Sequence, residues 1–167
     1  MAESLRYTYL DTPIGALLLA ADAAGLARIS FPTGDRTVRP GGDWMEDAGP
    51  LAEAIAQLRA YFAGELTAFD LTLSPSGTAF QKQVWLTLPE IGFGETATYS
   101  EIARRVGRPK ASRAVGAANG ANPLPIVLPC HRIVGADGSL TGFGGGLPVK
   151  RFLLAHEGRA PAQAELF

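Results

Sequence analysis

A chain of 167 residues with 47% hydrophobic and 19% charged side chains can bury a sizeable core, which excludes a generally disordered protein. Its longest apolar run, residues 14–21, is too short for a membrane span, and residues 1–4 lack the basic start of an export signal. One cysteine excludes an internal disulfide and a cysteine-based zinc or iron–sulfur site. We therefore expect a cytoplasmic protein with no membrane partner.

The first third of the chain predicts β-structure. Three strand-like runs, residues 6–11, 17–21 and 26–31, are separated by turn signals at residues 12–15 and 22–25.

A loop, a helix and a further strand are predicted after these runs. Residues 32–50 are polar and rich in Gly and Pro, which is typical of a surface loop. A helix is expected from Pro50 to a stop at Gly64, with apolar side chains at helical spacing: Leu51, Ile55, Leu58 and Phe62. Alternating apolar side chains in residues 69–73 predict a strand. Together these elements form a small α/β unit.

The Ser-Pro-Ser-Gly segment at residues 74–77 interrupts this pattern, so we place a domain boundary there, between residues 1–75 and residues 76–167. Beyond it, two capping boxes predict helix starts: Thr78 with Gln81, and Thr98 with Glu101. We expect the first helix to stop at Pro89, the second to cover residues 99–106, and a third to run from Pro109 to Gly120. The second and third helices have the shape of a helix-turn-helix.

The charge of the chain is unevenly distributed. Residues 1–75 carry five basic and ten acidic side chains, whereas residues 76–167 carry ten basic and six acidic ones. The window of residues 102–136 contains no acid and six cations: Arg104, Arg105, Arg108, Lys110, Arg113 and Arg132. A solvated basic face would look the same, but the pattern suits a polyanionic partner, of which nucleic acid is the commonest.

Cys130, the only cysteine, follows the apolar residues 126–128 and Pro129. A buried, inert cysteine is one interpretation, because free cysteine often packs as a small hydrophobic residue. The adjacent His131 and Arg132 favour a reactive thiol instead, since they bring a proton acceptor and positive charge to the sulfur. Neighbouring side chains in an extended strand point apart, so a thiol–imidazole contact needs a local bend or a bridging water.

Two further residues on the last helix bear on this chemistry. Glu157 can orient the far nitrogen of His131, as the acid of a catalytic triad does. His156 competes with His131 as the base, but its position in an apolar helix favours a structural role.

Residues 122–133, Asn-Pro-Leu-Pro-Ile-Val-Leu-Pro-Cys-His-Arg-Ile, closely resemble the active-site motif of the O6-alkylguanine-DNA alkyltransferases, also called methylated-DNA–protein-cysteine methyltransferases. Other family elements stand in family order: residues 77–81, 84–85, 98–103, 113–116 and 145–158. The resemblance covers about residues 77–158, and its proline-rich cysteine motif is highly specific.

The resemblance implies a fold and a reaction. The fold is a ribonuclease-H-like α/β domain followed by a mostly helical, winged-helix-like domain with a helix-turn-helix. The reaction is flipping of O6-methylguanine, and of O4-methylthymine, out of double-stranded DNA and irreversible transfer of the alkyl group to Cys130, once per chain. We also expect a monomer that needs no cofactor. No metal is expected, because the cysteine/histidine zinc site of some relatives is absent.

Residue roles follow from the same resemblance. Cys130 matches the alkyl acceptor, His131 the water-bridged base, and Glu157 the residue that completes the relay. Asn122 matches the residue that shapes the active-site turn. Tyr99 matches the tyrosine that contacts the extruded base, and it can supply the proton that the leaving guanine needs.

Binding residues are implied as well. Ile133, Gly144 and Gly145 match backbone contacts to the guanine edge, and they belong in part to the glycine-rich loop of residues 142–146. Arg113 matches the arginine that enters the duplex in place of the flipped base. The remaining expected DNA contacts are the neighbouring cations: Arg104, Arg105, Arg108 and Lys110.

The chain also departs from the family pattern. Phe143 and Gly144 stand where some members carry tyrosine and serine, so a hydroxyl contact to the base is expected to be missing.

Three rival functions remain: a lesion-binding relative that transfers nothing, a transcription regulator, and a cysteine hydrolase. The first rival class replaces the acceptor cysteine that is present here, the second needs an extra domain, and the third turns over repeatedly.

Overall fold

The computed structural model describes residues 4–34, 36–140 and 143–158, and its N-terminal third is a four-stranded sheet. Three strands form an antiparallel meander: β1 Arg6–Thr12, β2 Gly15–Ala21 and β3 Leu26–Ser30. A fourth, β4 Met45–Glu46, pairs in parallel with β1 and gives the order β3-β2-β1-β4. The strands predicted from the first third of the sequence are confirmed.

Helix α1, Ala52–Phe62, packs against this sheet. It follows a 3-10 turn, Gly49–Leu51, that contains Pro50, and it ends just before Gly64, whose φ of +77° suits glycine at a helix C-terminus. The side chains that it buries include Leu58 and Tyr61, both 0% exposed. The predicted start and stop of this helix are confirmed.

Two predictions for this region are wrong. Residues 69–73 do not form a strand, and only Leu73 makes a bridge, to Leu26. The backbone of Asp70 hydrogen-bonds the side chain of Gln57 on α1 instead of a neighbouring strand, so a continuous ladder does not form. The loop predicted over residues 32–50 contains β4, a strand of two residues. A pair of residues is too short to show the alternation that marks a strand in sequence.

The C-terminal part of the chain is mostly helical: α2 Ala79–Thr87, α3 Tyr99–Arg105, α4 Ser112–Gly120 and α5 Leu147–His156. Both predicted capping boxes are formed, at Thr78 and at Thr98. The third helix begins at Ser112 rather than at Pro109, because the amide of Ala111 closes a turn onto the carbonyl of Arg108. Helices α3 and α4 pack on each other as the predicted helix-turn-helix.

A second, two-stranded sheet brings the helix-turn-helix to the cysteine motif. Strand β5, Ala97–Thr98, leads directly into α3, and β6, Ile133–Val134, follows the motif; the two pair in parallel. Helix α2 is tied to α4 by Trp85, whose Nε1 donates to the carbonyl of Ala118 at 2.7 Å. Among the described residues, no helix has the length and apolarity to cross a membrane.

Candidate active site

The cysteine sits at the start of a 3-10 turn, Cys130–Arg132, that closes a tightly held loop. Within this loop Asn122 donates from Nδ2 to the carbonyl of Leu128 at 2.8 Å and accepts from the amide of Leu124 at 2.9 Å. Ile126 has a φ of 74°, a conformation that costs an L-residue about 1–3 kcal/mol and persists only where its surroundings impose it. The turn bends the chain between Cys130 and His131, but no direct hydrogen bond joins the thiol to Nδ1 of His131 among the described residues.

Cys130 is buried, with 4% of its surface exposed. Burial raises the pKa of its thiol to about 11, although a hydrogen bond with Asn122 and the positive charge of Lys150 partly oppose this shift. The resting residue is therefore a neutral thiol at neutral pH. A nucleophilic thiolate needs a group that takes the proton and charges that stabilise the anion.

His131 is fully buried, and its Nε2 lies 2.8 Å from Oε2 of Glu157. Burial lowers the pKa of His131, while Glu157 raises it in part, so the ring is neutral at neutral pH. Because Glu157 is ionised, Nε2 carries the ring proton and donates a hydrogen bond to the carboxylate. Nδ1 is then an acceptor, and it has no hydrogen-bond partner among the described residues. The predicted His131–Glu157 pair exists.

Glu157 is held by three donors rather than one. Besides His131, it accepts from Arg132, whose Nε lies 2.8 Å from Oε1, and from the hydroxyl of Tyr61 at 2.6 Å. Burial alone would raise the pKa of Glu157, but the hydrogen bonds from His131, Arg132 and Tyr61 hold it well below the usual carboxyl range. The carboxylate is therefore ionised at every physiological pH.

Two members of this network differ from the sequence-based expectation. Arg132 was expected to bring positive charge to the sulfur, but its guanidinium binds Glu157 and, through Nη1, the carbonyl of Ile91 at 2.6 Å. Tyr61 was not expected at all, because it lies on α1, 96 residues before Glu157. The available signal was its place within a helix that covers a sheet, since a buried tyrosine hydroxyl needs a hydrogen-bond partner.

A narrow cavity of about 30 Å³ opens beside Cys130. Its walls come from four segments: Ile29 and Phe31, Arg36, the end of α4 with Pro125, and Phe143, Gly144 and Gly145. The predicted loop glycines 144 and 145 do lie at this cavity, whereas Gly142 lies outside the described residues. A volume of this size holds about one water, so the conformation described is closed to a purine.

The N-terminal part of the chain builds the outer wall of this cavity. A side chain at Gly34 would overlap the carbonyl of Gly144, and one at Gly145 would overlap the ring of Phe31, so the glycine-rich loop packs tightly against residues 31–34. The aliphatic part of Arg36 lies against Gly144. Arg36 is the exposed residue of the cavity wall, and the sequence analysis did not identify it.

A larger cavity, of about 300 Å³, lies behind the cysteine loop and is lined mainly by apolar side chains from residues 67–73, 92–93 and 126–129. Arg132 reaches it, but Cys130 does not. We place the chemistry in the smaller cavity, because a reaction at sulfur requires the reacting atom to face the substrate.

Tyr99 and Ile133 lie next to each other's strands at the small sheet, Tyr99 directly after β5 and Ile133 at the start of β6. Tyr99 is the first residue of α3, half-buried, and a side chain at Gly116 of α4 would lie 3.6 Å from its ring. Ile133 begins β6, and its carbonyl accepts a hydrogen bond from Lys150 at 2.6 Å. Neither residue lines the cavity beside Cys130 in the closed conformation.

The expected DNA-binding cations are all exposed on or beside α3 and α4: Arg104, Arg105, Arg108, Lys110 and Arg113. Two of them are engaged within the chain. Arg105 pairs with Glu90 at 3.4 Å, an acid from outside the acid-free window, and Arg108 stacks over the ring of Phe80. Arg113 lies on the exposed face of α4, where its neighbours are the small residues Ala114 and Ala117.

His156 has the structural role predicted for it. Its Nε2 lies 2.7 Å from the carbonyl of Tyr61, and its ring packs on Tyr61, Phe62 and Phe152. Within the described ranges, no group of three or more His, Cys, Asp or Glu side chains could hold a metal ion.

Two family models match most of the chain. The 6-O-methylguanine DNA methyltransferase ribonuclease-like domain matches residues 5–75, and the DNA-binding domain of the same proteins matches residues 79–159. A methylated-DNA–protein-cysteine methyltransferase from Methanosarcina acetivorans is 52% identical over 152 residues, covering 91% of this chain and 97% of the relative. One from Mycobacterium tuberculosis is 48% identical over 165 residues, covering 98% and 99%.

Solved structures support the same relationship. Mycobacterium tuberculosis OGT in complex with DNA superposes with a TM-score of 0.85 at 47% identity, covering 97% of this chain and 99% of that one. The O6-methylguanine-DNA methyltransferase of Pyrococcus kodakaraensis, 23% identical with a TM-score of 0.55, covers 92% of this chain and 99% of its own and shares the fold. The fold predicted from the sequence, a ribonuclease-like α/β region followed by a helical DNA-binding region, is confirmed. With its cysteine motif, its buried histidine–glutamate pair and relatives of this identity, the chain belongs to the methylated-DNA–protein-cysteine methyltransferase family.

Proposed function

We propose that the protein repairs duplex DNA by transferring the alkyl group of O6-methylguanine, and of O4-methylthymine, irreversibly to Cys130. The observation that carries this proposal is the position of the only thiol, at a cavity and next to a buried His131–Glu157 pair. The relatives are methyltransferases of this kind, and the Mycobacterium tuberculosis protein was solved in complex with DNA. A protein that repairs chromosomal DNA has to reach it, so we place this one in the cytoplasm.

His131 acts as the base in this proposal. Nε2 of His131 donates a hydrogen bond to Glu157, so Nδ1 is the ring nitrogen that can accept a proton. The ionised Glu157 stabilises the imidazolium that forms, in the way that the acid of a catalytic triad does. Asn122 supports the same step, because its hydrogen bond lowers the pKa of Cys130.

The transfer is a displacement at carbon. The Cys130 thiol gives its proton to His131, its sulfur forms a bond to the alkyl carbon, and the bond from that carbon to O6 breaks. The leaving guanine gains a proton, for which Tyr99 is the candidate donor, and the proton taken by His131 is returned to the tyrosine through solvent, so that no net proton is gained or lost. The product is a thioether without a good leaving group. The protein is therefore consumed by its reaction, one alkyl group per chain.

Substrate binding requires the closed cavity to open. A base inside a duplex cannot reach a buried sulfur, so it must be extruded and must displace the exposed wall that Arg36 forms. The backbone of Gly144 and Gly145, and the carbonyl of Ile133, would then contact the guanine edge.

DNA binding is assigned to the helix-turn-helix. The exposed face of α4 carries small residues that allow close approach to a groove, and Arg113 is the long side chain that can take the place of the extruded base. Arg104, Lys110 and, less directly, Arg105 and Arg108 offer contacts to phosphates. Because phosphate contacts carry no sequence information, we expect little preference among undamaged sequences.

Intact-protein mass after incubation with duplex DNA containing O6-methylguanine tests the proposal. We expect one added methyl per chain, located on Cys130, and no further turnover with excess DNA. Cys130→Ala should bind the same DNA and gain no mass. A methyl on another residue, or several turnovers per chain, would overturn the assignment.

The same experiment separates the rival functions. A cysteine hydrolase would turn over and leave Cys130 unmodified at the end. A lesion-binding protein would bind methylated duplex with no mass change, and a regulator would prefer one undamaged sequence.

A further inference from the structure

Asn119 is a buried polar residue of the cavity beside Cys130 that the proposed mechanism does not use. It lies in the last turn of α4, is 4% exposed, and lines the cavity. Its Nδ2 donates to the carbonyl of Cys130 at 3.3 Å. A backbone carbonyl can only accept a hydrogen bond, so this contact fixes which way the side-chain amide of Asn119 faces.

The Oδ1 atom of Asn119 has no hydrogen-bond partner among the described residues. Buried polar atoms in this state are rare, because an unpaired acceptor has lost the hydrogen bonds that water would give it. In the rest of the described cavity wall, Arg36 only donates, the Cys130 sulfur is a weak acceptor, and the other residues have apolar side chains or none. Asn119 is therefore the strong side-chain acceptor that a bound base would meet.

The chemistry of the alkylated bases determines which of them can satisfy this acceptor. In O6-methylguanine, N9 carries the sugar and alkylation of O6 leaves N1 without a proton, so the exocyclic amine on C2 is the only N–H donor. O4-methylthymine has no N–H donor, because N1 carries the sugar and alkylation of O4 removes the proton from N3. A base that enters the opened cavity displaces water from Oδ1, so the base itself has to supply the donor.

We propose that Asn119 determines base specificity: its Oδ1 accepts a hydrogen bond from the exocyclic amine of the extruded guanine, which favours O6-alkylguanine over O4-alkylthymine. This inference rests on the proposed function and adds a substrate contact to it. The bond to the Cys130 carbonyl holds the amide for this contact, since it occupies Nδ2 and leaves Oδ1 available. Asn119 takes no part in bond making or in proton transfer.

Methyl transfer from single-stranded oligonucleotides tests this contact, because the base does not have to leave a duplex. Two oligonucleotides carry O6-methylguanine or O6-methylhypoxanthine at the same position, and these bases differ only in the amine on C2. A third carries O4-methylthymine. Intact-protein mass gives the second-order rate constant for each. Because a buried acceptor left unpaired is costly, the parent should react with O6-methylguanine about 5-fold to 160-fold faster than with O6-methylhypoxanthine.

Asn119→Leu removes the acceptor and keeps a side chain of similar volume. The preference for O6-methylguanine over O6-methylhypoxanthine should fall to about one or below, and the preference over O4-methylthymine should fall by a similar factor. Loss of the bond to the Cys130 carbonyl would slow all three reactions alike, so the ratio of rates reports the contact to the amine.

The matched control is Asn122→Ala, which removes the other amide that holds the cysteine loop. We expect this variant to react more slowly with every oligonucleotide and to keep the parent's ratio of rates. If Asn119→Leu does not fold, Asn119→Ala provides the same comparison with Asn122→Ala.

Equal parent rates with O6-methylguanine and O6-methylhypoxanthine would overturn the inference, and so would a preference that Asn119→Leu retains. A preference that Asn122→Ala reduces as much as Asn119→Leu would belong to the shape of the loop, which also overturns it. A parent that gains no methyl from any oligonucleotide would refute the proposed function itself. Transfer without preference would refute only the role of Asn119.

Discussion

Replacement of Tyr61 by phenylalanine isolates one hydrogen bond in the network around Glu157. The ring stays packed among Phe62, Phe69 and Phe93, and only the 2.6 Å bond to the carboxylate is lost. Glu157 keeps two other donors, so no buried charge is left unpaired. Hydrogen bonds to charged groups contribute about 1.5–3 kcal/mol to stability, which for a chain of this size corresponds to a melting temperature lower by about 3–12 °C.

Urea denaturation and thermal melting measure this loss. Tyr9→Phe is the matched control, because Tyr9 is 48% exposed, and we expect a change within about 0.5 kcal/mol. The denaturant slope should stay constant in both variants, since neither changes the surface exposed on unfolding. If Tyr61→Phe is as stable as Tyr9→Phe, the bond between α1 and Glu157 contributes nothing, and the reasoning is refuted.

Three further predictions concern charge. The folded-state pKa of His131 lies below 6.5, its ordinary value, so its contribution to the free energy of unfolding is present above pH 6.5 and is lost as the pH falls below 6.5. The parent should therefore lose up to about 1.4 kcal/mol of unfolding free energy per pH unit more than His131→Asn does. Parallel urea titrations at pH 5 to 8 measure this difference. Arg113→Ala should slow repair of duplex DNA far more than reaction with free benzylguanine, and equal losses would indicate misfolding. Because Arg105 and Arg108 are engaged within the chain and Arg113 is assigned to the place of the extruded base, about two cations, Arg104 and Lys110, remain for phosphates. The logarithm of DNA affinity should therefore fall against the logarithm of salt concentration with a slope of about −1.8, and a flat response would remove these cations from the mechanism.

Much of the fold could be predicted because its determinants are local. A capping box joins residues three apart, so the starts of α2 and α3 could be placed at Thr78 and Thr98 from the sequence alone. Strand β2 could be identified from a continuous apolar run bounded by turns. The strand prediction for residues 69–73 failed because a residue from another element competes for the backbone: Gln57 of α1 hydrogen-bonds both backbone groups of Asp70.

For the active site, the sequence by itself limits a thiol nucleophile to Cys130 and offers His131 as the candidate base. The chain offers one thiol, in a motif with His131 beside it, and no fold can supply another. The link from His131 to Glu157, 26 residues later, was predicted from the family pattern, and the structure brings the two side chains together.

Only the tertiary structure decided the electrostatics of that site. Tyr61 and Lys150 reach it from distant parts of the chain, and Arg132, adjacent to the site in sequence, turns away to Glu157 and Ile91. The pKa of Cys130 depends first on burial, and then on Asn122 and on Lys150, which α5 brings to the turn. The physical reason is that desolvation and charge interactions act through space, so they exist only after the sheet, α1 and α5 have packed around the turn.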